Sequence, residues 1–115
     1  MTRQLVTISE KDFQNQIIDA AHLLGYRVAH FRPAMNRRGQ WMTAVAADGA
    51  GFPDMVLVRP EPDGGRLIFM EVKGAKGIIS EAQQAWLSAL EFTSAEVYVW
   101  RVGKITIEEI VEILR

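Results

Sequence analysis

Two apolar runs, Asp54 to Arg59 (DMVLVR) and Arg66 to Lys73 (RLIFMEVK), are separated only by PEPDGG, which leaves this part of the chain little choice of fold. Proline and glycine stop a strand and the connection is too short for a crossover, so the pattern predicts an antiparallel hairpin. An even connection pairs Arg59 with Arg66, and counting back along both strands sets Asp54 opposite Glu71. Alternate residues of a strand share a face, so Glu71 and Lys73 point the same way, on the side of Val56, Val58, Leu67 and Phe69. Two carboxylates and an ammonium then meet at one spot, with opposed Cβ atoms about 4.5–5.5 Å apart.

Like charges placed opposite each other on a half-buried sheet are destabilising, and a divalent, oxygen-seeking cation removes the conflict. Carboxylates are hard ligands suited to Mg²⁺ or Mn²⁺, ions that keep several waters and also accept phosphate oxygens. A lysine two residues from the glutamate is then placed to orient or deprotonate a water, or to neutralise charge growing on a phosphate. Taken singly, each piece is ordinary: Asp54 after Pro53 is a common strand start, and a Glu–Lys pair is commonly a solvated face. Their convergence across one ladder favours the ion.

The remaining elements follow from periodicity. Ser9 caps a first helix carrying Phe13, Ile17, Ala20, Ala21 and Leu24, which Gly25 ends, and Tyr26 to Phe31 reads as a strand. Pro33 to Pro53 has no period and reads as one long loop; loops beyond about 15 residues are uncommon unless functional or disordered, so it is a candidate border of the site. Ser80 caps a second helix with Ala82, Ala85, Trp86, Ala89 and Leu90 on its apolar stripe. Glu96 to Val102 returns to strand, and Thr106 with Glu109 caps a last helix. The expected order is αβββαβα, an α/β fold whose mixed central sheet holds a hairpin and one parallel neighbour and is flanked by helices.

Polar residues on the helix stripes point to the same spot. Glu10 precedes Phe13 and Ile17 at helical spacing, Gln14 lies one turn from Glu10, and Gln83 precedes Trp86 and Leu90. Glu10 near a helix N-terminus also simply complements the helix dipole. The net charge of −1 is unevenly spread. Residues 27–47 hold Arg27, Arg32, Arg37 and Arg38 and no acid, whereas residues 80–115 hold six glutamates against three basic residues. Arginines in a loop are either solvated or bind phosphates, and Arg32, Arg37, Arg38, Lys76 and Gln14 are the candidates for a phosphate-binding surface. Trp41 is open to base stacking or to a core or dimer contact, and His30 to phosphate binding or a structural role.

The absence of cysteine excludes thiol nucleophiles, Cys-ligated zinc and iron–sulfur clusters. No apolar run approaches the ~18 residues of a membrane helix, and MTRQLVTISE lacks the apolar core of a signal peptide, so a cytoplasmic location without membrane or small-molecule cofactor is expected.

GFPD (Gly51 to Asp54), E-V-K (Glu71 to Lys73) after an apolar strand, S-x-x-Q (Ser80 to Gln83) and a glutamate opening the first helix together resemble the PD-(D/E)xK nuclease superfamily. More narrowly, the chain is similar to the virus-type replication-repair nuclease (VRR-NUC) family in its stand-alone phage and bacterial form, over nearly all of residues 1–115. The resemblance implies a restriction-endonuclease-like core in one domain and metal-dependent phosphodiester hydrolysis. It makes Asp54 and Glu71 the metal ligands, Lys73 the catalytic lysine, Glu10 an outer ligand or water-positioning group, and Gln83 the glutamine that follows the E-x-K strand. It further implies structure-selective cleavage of DNA, four-way junctions included, by a homodimer.

Three readings compete: a Mg²⁺- or Mn²⁺-dependent DNA endonuclease, a catalytically inactive DNA-binding module on the same fold, and a small α/β interaction protein. The intact pair of acids with its lysine favours the first.

Overall fold

The computed structural model describes residues 8–62 and 64–115, so Asp63 of the PEPDGG turn and most of MTRQLVTISE, where the signal-peptide expectation rests, lie outside it. The order is α1 (Glu10–Leu23), β1 (Arg27–His30), β2 (Ala34–Met35), β3 (Trp41–Met42), β4 (Met55–Arg59), β5 (Arg66–Lys73), α2 (Glu81–Glu91), β6 (Glu96–Arg101) and α3 (Ile107–Leu114).

Four strands form a mixed sheet in the order β1-β4-β5-β6. The hairpin has the expected register, Arg59 opposite Arg66 and Met55 opposite Met70, and β6 runs parallel to β5. The core lies on one face. Met55, Leu57, Ile68, Met70, Val72 and Trp100 point from the sheet against Phe13, Ile17 and Ala21 of α1 and Ile110 and Leu114 of α3. The other face is more open: Val58 and Leu67 are exposed, and Phe52 packs edge-on against Phe31, Phe69 and Trp86.

Polar side chains lock one end of the sheet. Tyr26 Oη donates to the Leu114 carbonyl at 2.8 Å, and Arg59 Nη1 donates to the carbonyls of Leu24 at 3.3 Å and Leu114 at 3.1 Å while its guanidinium lies over the Tyr26 ring. The ends of α1 and α3 therefore cover the Arg59 end, and Asp54 and Glu71 lie at the opposite end.

Two expectations are corrected. The segment from Pro33 to Pro53 is not one loop, because β2 and β3 form a separate small hairpin, and the order is αβββββαβα. Two-residue strands are too short to show an alternating pattern; an asparagine side chain holds this turn instead. On α2, Ala82, Ala85 and Ala89 are exposed and Leu87 is the buried residue. The helix packs on β6 and, through Trp86, on Phe52 rather than on the main core, with Leu87 its buried residue.

Candidate active site

Asp54 and Glu71 meet across the end of the β4–β5 ladder. The Asp54 amide donates to Glu71 Oε2 at 3.3 Å, and the Val72 amide donates to Asp54 Oδ2 at 2.9 Å. Each carboxylate is thus held by the partner strand's backbone, a consequence of a register in which residue numbers across the ladder are complementary. Among the described residues no donor is bonded to Asp54 Oδ1. Glu71 is only 1% exposed, unusual for a glutamate. Lys73 Nζ lies 3.5 Å from Glu71 Oε1, and Gln83 Nε2 donates to the same oxygen at 2.9 Å.

The electrostatics record the crowding. Glu71 is pushed up to about 7, first because burial strips water from its carboxylate and then because Asp54 stands beside it, with Lys73 opposing. Asp54 is also raised, mainly by burial, against the lowering effects of the Val72 amide and Lys73. One ammonium does not fully offset two partly desolvated acids. A divalent cation would, and the donors fit one, since both are hard carboxylates that meet across the end of the ladder.

Gln83 is positioned by its own helix. Its Oε1 accepts from the Ser80 amide at 2.9 Å while the Ser80 hydroxyl accepts from the Gln83 amide at 3.1 Å, a reciprocal capping box. With Oε1 occupied, the amide group turns Nε2 toward Glu71, so the helix cap aims the side chain. Gly51 seats that cap. A Cβ at Gly51, which has φ +81°, would lie 2.5 Å from the Ala82 carbonyl carbon and 2.6 Å from the Gln83 nitrogen, so only glycine allows this approach.

Other candidates lie further out. Glu10 does not sit on the buried stripe of α1, which begins at Phe13; it is exposed at the first helical residue, its Oε2 3.8 Å from where a Cβ at Gly74 would stand. Among the described residues no three His, Cys, Asp or Glu gather as a metal-holding group. Gln14 is half-buried one turn along α1, and Lys76 is exposed just beyond β5. Arg32 Nε donates to His30 Nδ1 and its Nη2 to Asn15 Oδ1, both at 3.2 Å, which ties it to α1. His30 is lowered by burial and by Arg32, with Asp54 pulling the other way. Arg37 and Arg38 occupy the exposed β2–β3 turn and do not line the cleft of about 590 Å³ that reaches Asp54 and Gln83.

Sequence reasoning did not single out Asn15, Asn36, Phe52 or the packing role of Gly51. Gly51 carried a signal, as a glycine two residues before P-D, but its reason is a tertiary contact with a helix about 30 residues away.

The family model described as the VRR-NUC domain matches residues 10–104, from the start of α1 through the turn after β6. The chain belongs to the VRR-NUC family. No curated protein and no solved structure matches it. VRR-NUC is a nuclease family, so its members act on DNA, and nucleases of this kind generally use divalent metals. In this VRR-NUC domain the matched region contains Asp54, Glu71, Lys73 and Gln83, and its α/β architecture with a mixed sheet and three helices is compatible with a nuclease-like fold.

Proposed function

We propose that the chain is a single-domain, Mg²⁺- or Mn²⁺-dependent DNA endonuclease that hydrolyses phosphodiester bonds at the Asp54–Glu71 pair, selecting branched DNA by shape rather than by sequence and working as a homodimer. The observation that carries this reading is the nearly buried Glu71 carboxylate, held against Asp54 with one ammonium at 3.5 Å. Asp54 and Glu71 would hold the ion, which supplies Lewis-acid polarisation of the phosphodiester and raises the acidity of water. Glu71 is kept in one orientation by Gln83, and Asp54 by the Val72 amide. Lys73 brings a positive charge to the spot where a scissile phosphate gathers negative charge, and carries protons that the leaving oxygen needs. Phosphate contacts from Lys76 and the arginines position a duplex without reading bases.

The test is cleavage of labelled single-stranded, duplex, flap and four-way DNA with each ion, wild type against Lys73→Ala. The expected result is ion-dependent cleavage that falls at least about 100-fold in the variant, with DNA binding and melting temperature kept. Undiminished cleavage by Lys73→Ala sinks the assignment. Binding without cleavage under every divalent ion would instead identify the inactive module.

A further inference from the structure

The β2–β3 hairpin belongs to neither the core nor the carboxylate cluster, yet it is built with care. Asn36 organises its turn: Oδ1 accepts from the amides of Arg38 and Gln40, both at 2.9 Å, and the Asn36 amide donates to the Gln40 carbonyl at 2.8 Å. Arg37 and Arg38 are thereby carried on a stiff tip. Behind them Met35 pairs with Trp41 across the ladder, and directly opposed residues share a face, so an apolar surface backs the arginines. Trp41 is 68% exposed and Met35 56%, unusual for side chains of this size. The clefts on either side of Met42 share Phe31, Met42, Thr43 and Ala44 as lining, and one of them continues to Asp54 and Gln83. Met42 of the hairpin therefore borders a groove that reaches Asp54, and Trp41, the residue before it on β3, stands outside the lining.

Building on the endonuclease reading, we propose that this hairpin selects the substrate: Trp41 stacks on a base that has left the duplex stack, and Arg37 and Arg38 hold the phosphates beside it. Residues 27–47 contain four arginines and no acid, so the complementary surface is anionic. An exposed indole on the same hairpin as two arginines is matched by a flat apolar partner that also carries negative charge. Nucleic acid supplies both, but a continuous duplex hides its base faces; they are free only in single strands, flaps, forks and opened junctions. A second copy of the chain fits worse, because a two-fold interface sets a patch against itself and these arginines would face one another.

The experiment compares wild type, Trp41→Ala, Trp41→Phe and Arg37→Ala/Arg38→Ala by fluorescence anisotropy on a single strand, a fork and a continuous duplex, alongside cleavage of each with Mn²⁺. A 2-aminopurine at the unpaired position next to the branch reports stacking. Trp41→Ala should lose about 5- to 150-fold in affinity for strand and fork, the range that one stacked base represents, while duplex affinity stays within about twofold. Trp41→Phe should restore most of the loss, and the double arginine variant should weaken all three substrates and reduce the salt slope by about 1.8 on the duplex and about 1.4 on the single strand. Equal losses on all three substrates with Trp41→Ala, no loss on any, or dissociation of a dimer by Trp41→Ala in sedimentation would overturn the assignment of Trp41. Wild type that cleaves while Trp41→Ala keeps its substrate preference refutes the hairpin alone. Wild type that neither binds nor cleaves refutes the endonuclease reading beneath it.

Discussion

Gly51→Ala separates a local backbone effect from a packing effect that reaches the acids. Gly51 has φ +81°, a conformation that costs an alanine roughly 1–2 kcal/mol. The added Cβ would also stand 2.5 Å, 2.6 Å and 2.8 Å from the Ala82 carbonyl carbon, the Gln83 nitrogen and the Ala82 Cβ. Two of these atoms are helix backbone and cannot swing aside, so either the first turn of α2 or the loop before Asp54 must move, an overpacking cost of about 1–3 kcal/mol. The total is about 2–5 kcal/mol. At about 4 °C per kcal/mol for a domain of this size, the melting temperature should fall by about 8–20 °C. Gly103→Ala is the control, since Gly103 has φ +82° with nothing within 4 Å of its added Cβ, and it should show the backbone cost alone. Calorimetry on both variants isolates the contact, and cleavage measured well below both melting temperatures tests its consequence. A displaced cap moves Gln83 off Glu71, so Gly51→Ala should lose activity that Gly103→Ala keeps. If the two variants melt together, the seat described for Gly51 is wrong.

Tyr26→Phe removes the buried hydroxyl that donates to the Leu114 carbonyl, although Arg59 Nη1 still donates to that oxygen at 3.1 Å. The expected loss is about 1 kcal/mol, seen as a lower urea midpoint with an unchanged slope, and an unshifted midpoint would contradict the bond's role. Glu96 is held below its ordinary value of 4.5 chiefly by Arg66, whose Nε and Nη2 donate to its two oxygens at 2.7 Å and 2.5 Å. The unfolded chain therefore takes up this proton first, so the pair's contribution is complete above pH 4.5 and is lost as pH falls through the lower folded value. Glu96→Gln should flatten that part of the acid limb of the stability curve; parallel acid limbs for variant and wild type would refute the linkage.

Much of the site is legible in the chain because it is built from local rules. A short Pro/Gly connection sets the hairpin register, period-two geometry puts Glu71 and Lys73 on one side, and that register brings Asp54 to Glu71 with no tertiary knowledge. The capping box of Ser80 and Gln83 is local in the same way. The direction in which Gln83 Nε2 points is not, since it depends on α2 lying over the end of β5. Nor is the exposure of Glu10, because helical spacing aligns it with Phe13 and Ile17 but does not say where along α1 the core contact begins.

What the chain alone decides, then, is the pairing of Asp54 with Glu71 and the side on which Lys73 stands, since strand alternation and a six-residue connection act over a few residues and leave one low-energy register. Packing decides the rest. Burial makes Glu71 an acid at about 7, and the contact of Gly51 with α2 seats the cap that aims Gln83 at it. These features arise from groups distant in sequence excluding water from one another, and no local pattern encodes that.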